Sequence, residues 1–278
     1  MRVLATLTSG TKLRYHIASL SNSTYCSLFH VFSLGVFVVS VNHYTVCVLH
    51  PYLGNTSFLS SFAPVCVTPR FIPRYAYSKP VILKGFSDNT KFQFLCSKSS
   101  LLQQYGERMV RLSTANTYSY RKVDVRFEEF VDLLLRPQSM DTLGSDTLYF
   151  FGDNNFTEWH SLFENYKAPR YMLPHTTGAY SFGIAGPGTG VPFHWHGPGY
   201  SEVIYGRKRL FLYPPDKAPH FHPNYTTLSW VKDTYPYLLE EKPIECTIRP
   251  GEVLYFPDRW WHATLNLDTS VFISTFLG

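Results

Sequence analysis

The fold is decided by residues 188–209, which form the stretch GTGVPFHWHGPGYSEVIYGRKR. Its first half predicts a β-strand in which His194 and His196, two residues apart, face the same side. A third histidine, His262, follows a predicted strand within RPGEVLYFPDRWWHATLNL, residues 249–267. Imidazoles from separate strands that meet on the inner face of a barrel make a metal site with open positions for water or substrate. The spacing therefore predicts a candidate metal centre.

A second interpretation of the three histidines stays open at this point. They also fit buried polar residues that hydrogen bonds satisfy and that pack beside the neighbouring tryptophans. The next strand is expected over residues 201–215, SEVIYGRKRLFLYPP, and it places Lys208, Leu210 and Leu212 on one face. Because two of these side chains are apolar, we expect that face to be the inner one, with Lys208 pointing into the same interior as the histidines.

The composition and the pattern of the chain favour a mainly β protein. Aromatic residues make up 17% of the 278 residues, which is typical of strands. Residues 79–86, KPVILKGF, predict a strand, residues 87–112 predict two helices and a strand, and residues 125–137, VRFEEFVDLLLRP, predict a helix. From residue 147 onward, short aromatic or β-branched strands alternate with proline and glycine turns. The simplest fold is a barrel or jelly roll preceded by helices.

The distribution of charge argues against nucleic-acid binding. The chain has 25 Lys and Arg against 20 Asp and Glu, a formal net charge of +5. The first carboxylate is Asp88, so residues 1–87 hold seven of the cations, and the remainder carries 18 cations against 20 anions. Residues 88–278 are therefore slightly acidic, and the predicted globular part lacks the basic footprint that nucleic-acid binding needs.

The first 70 residues differ in character from the rest. Residues 15–69 contain no Lys, Arg, Asp or Glu, and residues 28–41, LFHVFSLGVFVVSV, match the apolar core of a signal peptide. We expect a signal or signal-anchor segment here, the part of the chain through which any membrane contact would occur. The alternative is a translation artefact or alternative start with no folded role. The predicted domains are an atypical apolar segment over 1–70 and one globular domain over 75–278.

Two further features bear on the compartment and on redox state. Asn155 and Asn224 begin Asn-x-Thr triplets in loop-like segments, where they would accept glycans if the chain enters the secretory lumen. In the globular part the cysteines are Cys96 and Cys246. Buried free thiols and a disulfide between them both stay open, because spacing alone does not distinguish them.

The stretches KPVILKGF, GTGVPFHWH, YGRKRLFLYPP and GEVLYFPDRWWHATLNLD resemble a JmjC domain of the small hydroxylase-like type, within the cupin superfamily. The resemblance runs from about residue 75 to residue 278. It implies a mainly β fold, the double-stranded β-helix or jelly-roll barrel with flanking helices, that binds Fe(II) and 2-oxoglutarate. Carried over, His194 matches the first metal ligand, His262 the distal ligand, and Lys208 the lysine that pairs with the cosubstrate carboxylate.

Three positions depart from the family pattern. His196 stands where the family has a carboxylate ligand, Val191 replaces a common threonine, and Phe276 replaces a polar cosubstrate contact found in some relatives. Three neutral imidazoles leave the full +2 charge of the metal, which suits Zn(II), or iron with an anionic substrate bound. Glu202 is a candidate fourth ligand, because the general cupin pattern places a glutamate a few residues after His-x-His.

These departures divide the functional expectation between two classes. The first expectation is a lumenal protein with an altered His-x-His…His metal site, a non-standard or inactive hydroxylase-like protein that acts through protein partners in signalling or metabolic regulation. The alternative is an Fe(II)- and 2-oxoglutarate-dependent protein hydroxylase, which the retained His194, His262 and Lys208 favour. The expected compartment is the endoplasmic reticulum lumen. A monomer is expected, because the helices through which several JmjC hydroxylases dimerise are not found after His262.

Overall fold

The computed structural model describes residues 75–278 except 86, 119–120, 153–156 and 241, and within the first 74 residues only the backbone of six short strands. These six are β1 (Ala5–Thr6), β2 (Arg14–Tyr15), β3 (Ser27–His30), β4 (Phe37–Ser40), β5 (Thr45–Leu49) and β6 (Phe62–Pro64). Strand β1 pairs with β2, and β3 pairs with β4. The predicted boundary between residues 1–70 and 75–278 remains a prediction.

The remaining elements alternate strands with short helices. The strands are β7 (Val81–Lys84), β8 (Met109–Thr114), β9 (Lys122–Arg126), β10 (Leu148–Phe151), β11 (Gly178–Ala185), β12 (Gly199–Tyr205), β13 (Lys208–Tyr213), β14 (Ile244–Ile248), β15 (Glu252–Phe256), β16 (Trp261–Asn266) and β17 (Ser270–Leu277). The helices are α1 (Thr90–Leu95), α2 (Lys98–Tyr105), α3 (Phe127–Glu129, continuing as a π-helix over Phe130–Leu134), α4 (His160–Phe163) and α5 (Thr227–Asp233). Short 3₁₀ turns lie at Gly144–Asp146 and Tyr235–Tyr237.

Two antiparallel sheets form the body of the domain. The large sheet has the order β6-β5-β7-β15-β12-β17-β11-β10-β8-β9, and the small sheet has the order β14-β13-β16. Residues 189–194 extend the small sheet along β16, because backbone bonds join Thr189 to Asn266 and His194 to His262. The jelly-roll prediction is confirmed, and so is the strand predicted at residues 79–86, which is β7.

The inner faces of the two sheets pack against each other. One buried cluster joins Ile82, Val203 and Leu254 of the large sheet to Leu210 and Leu212 of the small sheet. Burial of this apolar surface supplies the main driving force for closing the two sheets into a barrel. Leu210 and Leu212 therefore face inward, as predicted from their alternation with the other residues of their strand.

Helices cover the outer faces of both sheets. Helices α1 to α4 bury aromatic side chains against the large sheet, where Phe92 meets the ring of Phe182 on β11 at a centroid distance of 6.4 Å. Helix α5 covers the small sheet through Trp230, whose ring lies 5.2 Å from that of Phe211 and 4.9 Å from that of Phe193. These layers fix the backbone of the inner strands that carry the histidines.

Two predicted elements are wrong in their bounds. The strand expected over residues 201–215 is two strands, because the chain turns at Gly206 with φ 80° and runs close to the Thr269 carbonyl. The helix expected over residues 125–137 begins only at Phe127, since the preceding residues pair as β9 with β8. It then widens into a π-helix, in which Leu135 N–H donates to Phe130 O at 2.8 Å.

The structure settles the state of the two cysteines of the globular part. Cys96 and Cys246 are both free and buried. Cys96 lies in the cluster under the helices, whereas Cys246 lies in the cluster between the two sheets. Along the stretches that the structure describes, no helix has the length and apolar character to cross a membrane.

Candidate metal centre

The small sheet brings the three histidines together. His262 lies on β16, and His194 pairs with it through two backbone hydrogen bonds of 2.9 and 3.1 Å. His196 follows two residues later, and its carbonyl accepts a hydrogen bond of 3.0 Å from Arg259 N–H in the turn before β16. Arg259 has a positive φ of 57°, an uncommon backbone conformation that this tight turn requires. The predicted convergence is confirmed, since the ligand atoms all lie within 4.8 Å of one another.

The hydrogen bonds of the three rings fix the atoms that face the centre. The Nδ1 atoms lie 2.9, 2.8 and 2.8 Å from the carbonyl oxygens of Pro192, Gly197 and Trp260, for His194, His196 and His262 respectively. A carbonyl oxygen only accepts, so each Nδ1 carries the proton and each Nε2 keeps a free lone pair. Metal-binding histidines characteristically donate their other ring N–H to a carbonyl in this way.

One distance tests directly whether these residues fit a metal ion. Nε2 of His196 lies 3.1 Å from Nε2 of His262. With both protons on Nδ1, two lone pairs face each other there, so the contact between neutral rings is not a hydrogen bond. Two nitrogens in a tetrahedral Zn(II) site lie about 3.3 Å apart, given Zn–N bonds of about 2.0–2.1 Å. The three imidazoles therefore fit a divalent cation, which turns this repulsive contact into two bonds.

Burial keeps the three imidazoles neutral, which is the form that binds metals. Desolvation lowers the pKa of His194 to about 4 and also lowers the pKa of His196. The pKa of His262 falls well below its ordinary value of 6.5, because of desolvation and then because of the neighbouring imidazoles.

The histidines line one end of a cavity of about 50 Å³ between the two sheets. Its polar lining includes Lys208, as predicted, together with Tyr149, Ser201, Thr264, Asn266 and Ser274. Its apolar lining includes Val191, Leu210, Phe256, Phe272 and Phe276. Among the described residues, no carboxylate lines this cavity.

Lys208 places a buried positive charge at the cavity. Its residue is 6% exposed, and its Nζ lies 3.3 Å from the centroid of the Phe272 ring. Within the described part of the chain, no carboxylate pairs with it. Desolvation accordingly lowers its pKa to about 7. An unpaired buried ammonium favours an anionic ligand, which fits the carboxylate expected from the family resemblance.

Val191 and Phe276, the two other positions that differ from the family pattern, form apolar walls of the same cavity. Val191 offers no hydroxyl, and its backbone N–H donates to Thr264 Oγ1 at 3.0 Å. The ring of Phe276 stands edge-on to that of His196, with centroids 4.9 Å apart. Lys208 therefore supplies the positive charge for 2-oxoglutarate, and the hydroxyl side chains of the cavity, not these two positions, are the available hydrogen-bond donors to its oxygens.

Glu202 lies outside the histidine cluster. Its neighbour Ser201 lines the cavity, so the alternation of β12 turns the Glu202 side chain to the outer face of the sheet. There its carboxylate accepts hydrogen bonds from Asn89 Nδ2 at 3.0 Å and from Tyr166 OH at 2.9 Å. Desolvation raises the pKa of Glu202 to about 7, although both hydrogen bonds oppose the rise.

Several polar side chains that complete the cavity were not predicted from the sequence. Thr264 and Asn266 follow His262 at intervals of two along β16, so the alternation that orients the histidine also turns them inward. That signal was present in the sequence. Of the two candidate glycosylation sites, Asn155 lies outside the described residues, and Asn224 is half-buried, with its Oδ1 accepting from Ser145 N–H at 3.1 Å.

Comparison with known proteins identifies the family. The cupin-like domain family matches residues 74–276. JmjC domain-containing protein 8 of Homo sapiens is 69% identical over 209 residues, covering 75% of this chain and 79% of the human protein. The Mus musculus protein of the same name is also 69% identical over 209 residues, covering 75% of this chain and 78% of that protein. The 2-oxoglutarate and iron-dependent oxygenase JMJD4 of Gallus gallus is 25% identical over 199 residues, covering 63% of this chain and 47% of that protein. The chain therefore belongs to the JmjC-type family of cupin-like domains.

Proposed function

We propose that this protein holds a divalent metal ion at His194, His196 and His262, and that it acts through protein partners in signalling or metabolic regulation and does not hydroxylate a substrate. The observation that carries the metal site is the contact of 3.1 Å between two unprotonated Nε2 atoms. A cation between them removes the repulsion of their lone pairs. With three imidazole ligands and an open position, Zn(II) is the better match.

The charge of the site supports a role other than oxygenase. Fe(II) oxygenases of the facial-triad type bind iron through two histidines and one carboxylate. Here His196 takes the third place, and the nearby carboxylate of Glu202 points to the other face of β12. The centre thus lacks the negative ligand that helps to stabilise higher oxidation states of iron.

A specific observation favours a second candidate function, that of an Fe(II)- and 2-oxoglutarate-dependent protein hydroxylase. Lys208 is buried, unpaired with any carboxylate of the described chain, and directed into the cavity of the histidines. Bound 2-oxoglutarate would supply two of the four electrons that reduce dioxygen, the hydroxylated substrate would supply the other two, and Lys208 would hold one carboxylate of 2-oxoglutarate. The name of the Gallus gallus relative, a 2-oxoglutarate and iron-dependent oxygenase, accords with this alternative.

Metal analysis and turnover separate the two candidates. We expect the purified full chain to retain about one Zn(II) per chain, to lose it in His196→Ala, and to keep it in the control His220→Ala, which changes an exposed histidine. Reconstituted with Fe(II), the wild-type protein is expected to show no 2-oxoglutarate turnover, whereas His196→Asp restores the family's carboxylate. Unchanged metal content in His196→Ala would overturn the metal site, and turnover by the wild-type protein would favour the hydroxylase.

The proposal places the protein in the endoplasmic reticulum lumen as a monomer. The apolar run of residues 28–41 and the Asn224 triplet support the lumenal compartment. Glycosidase treatment of the protein from cells is expected to increase its gel mobility, and an unchanged mobility together with cytosolic fractionation would contradict it. Light scattering of the full chain tests the monomer, which a stable dimer would contradict.

A further inference from the structure

A second cavity lies on the opposite face of the large sheet from the histidines. Strand β17 turns Phe272 and Ser274 into the cavity of the histidines, whereas Val271 lines the second cavity, as strand alternation requires. Two residues that line the second cavity, Lys98 and Thr269, are exposed, so it opens to solvent on their side. Its volume is about 290 Å³. This cavity is separate from the candidate metal centre, and the proposed function does not use it.

A row of side chains across three neighbouring strands forms the floor of the second cavity. Val271 on β17 is the cross-strand partner of Ile184 on β11 and of Tyr205 on β12, and all three line the cavity. Neighbouring strands lie about 4.8 Å apart, so this row extends over about 10 Å. The floor is therefore elongated, which suits an extended chain better than a compact ring.

Helices α2 and α3 form the two walls. Leu101 lines the cavity from α2, and Phe127, Val131 and Leu135, each four residues from the next, line it from α3 and its π-helical continuation. Segments of π-helix occur frequently at functional sites. The wall from α3 thus contains an irregularity of a kind that marks binding sites more often than plain packing.

The two walls are joined at two places and stand apart between them. At one end the backbones meet, where Phe127 N–H donates to Arg108 O at 2.8 Å. At the other end Lys98 Nζ lies 2.9 Å from Asp132 Oδ1, and both of these side chains are exposed. An exposed ion pair of this kind contributes little to stability, so Lys98 can exchange the Asp132 carboxylate for that of a ligand.

The chemistry of the lining is apolar inside and cationic at the opening. Its buried members are apolar side chains and one thiol, namely Cys96, Leu101, Phe127, Ile184 and Val271. Among the described residues that line the cavity, Lys98 alone carries a charge. The hydroxyl of Tyr205 is already engaged, because it donates to Gln93 O at 2.8 Å. Apolar cavities stay dry and bind apolar molecules, as an engineered cavity of about 150 Å³ binds benzene.

We propose that this cavity binds a free medium-chain fatty acid, with its alkyl chain between α2 and α3 and its carboxylate at Lys98. The cavity has about twice the volume of one that holds benzene, so a chain of about ten carbons fills it. The elongated floor accommodates the extended chain, and the positive charge at the opening complements the carboxylate. The site lies outside the candidate metal centre, so the proposal does not depend on a bound metal.

Isothermal titration of the full chain with saturated fatty acids of increasing length tests the proposal, at concentrations below those at which the acids form micelles. From hexanoate to decanoate the affinity is expected to rise about fourfold for each added methylene, because the cavity buries each one. Beyond about twelve carbons the affinity is expected to level off, because the cavity is full and further carbons stay in water.

Two variants locate the ligand, each with a matched control. Val131→Phe fills part of the cavity and is expected to weaken decanoate binding about tenfold, whereas Val123→Phe, outside the lining, is expected to leave it unchanged. Lys98→Gln is expected to weaken decanoate binding about threefold and to leave decanol binding unchanged. The control Lys91→Gln changes an exposed lysine outside the lining and is expected to affect neither ligand.

Three results would overturn the proposal. An affinity of the wild-type protein that kept rising by the same factor up to palmitate would show adsorption to its surface, so the test remains valid if Val131→Phe does not fold. Absence of decanoate binding would refute the site directly. Equal changes for decanoate and decanol in Lys98→Gln would overturn the assignment of a free acid and point to the acyl chain of a neutral lipid.

Discussion

Replacing Glu202 with glutamine tests the structure through the pH dependence of stability. The Glu202 residue is 2% exposed, and burial raises its pKa from the ordinary 4.5 to about 7. At low pH the carboxyl is protonated in both the folded and the unfolded chain, so its ionisation does not affect stability. As the pH rises from 4.5 to about 7, the unfolded chain releases this proton first, and the free energy of unfolding falls.

The size of this loss follows from the pKa difference. A rise from 4.5 to about 7 corresponds to about 3 kcal/mol, since each pH unit is worth about 1.4 kcal/mol. Glu202→Gln has no proton to lose, so relative to this variant the wild-type protein is expected to lose about 3 kcal/mol between about pH 4 and pH 8. The variant itself forfeits part of the hydrogen bonding with Asn89 and Tyr166, and this offset is the same at every pH.

Urea unfolding at a series of pH values measures the effect. The control Glu240→Gln changes an exposed carboxylate and is expected to follow the wild-type curve. If the wild-type protein and Glu202→Gln ran parallel across the whole range, the carboxyl would titrate normally, and the burial described for it would be refuted. If the wild-type protein instead gained stability relative to Glu202→Gln as the pH rose, the unfolding free energy would change in the opposite direction. A raised pKa of Glu202 would then be refuted as well.

Three further substitutions have defined outcomes. A methyl group at Gly190 would overlap the Thr264 carbonyl, so Gly190→Ala is expected to separate residues 189–194 from β16 and to lower metal retention. The control Gly197→Ala is expected to leave metal retention unchanged, because the atom nearest to its added methyl group would lie 3.9 Å away. Phe92→Ala empties a fully buried position and is expected to cost about 3–5 kcal/mol in urea unfolding; a loss below about 1 kcal/mol would contradict its burial. Asn224→Gln is expected to reduce a glycosidase-sensitive shift on gels, because Asn155 is the second candidate site, and an undiminished shift would assign the glycan elsewhere.

Strand alternation made the convergence of the histidines predictable from the sequence. His194 and His196 share a face because they are two residues apart, and the apolar partners of Lys208 on its strand indicated which face is internal. The third ligand needed more than local pattern, since His262 is far along the chain and reaches the others only through the pairing of residues 189–194 with β16. The resemblance to a known fold supplied that pairing.

Breaks in the alternation of inward and outward side chains explain why the orientation of Glu202 and the division of the strand expected over residues 201–215 could not be predicted. Glu202 is the sixth residue after His196, and an even offset would place both side chains on one face of an uninterrupted strand. The chain turns at Gly197 and Pro198 before β12 begins, and this turn reverses the parity, so that Ser201 faces the cavity instead. A similar turn at Gly206 divides the strand that was expected to be continuous. A break of one residue is too small for hydrophobic periodicity to reveal.

The charges around the three histidines determine which ligands suit the cavity. In this respect the protein differs from a metal site that contains a carboxylate ligand, more than it does in the metal that would bind. Three neutral imidazoles leave a divalent ion its full charge, and a protonated Lys208 adds another cation in the same cavity. No described carboxylate lines the cavity to balance them. Charges interact more strongly in a buried site than in water, so an anion bound there would neutralise Lys208 and a bound divalent ion at once.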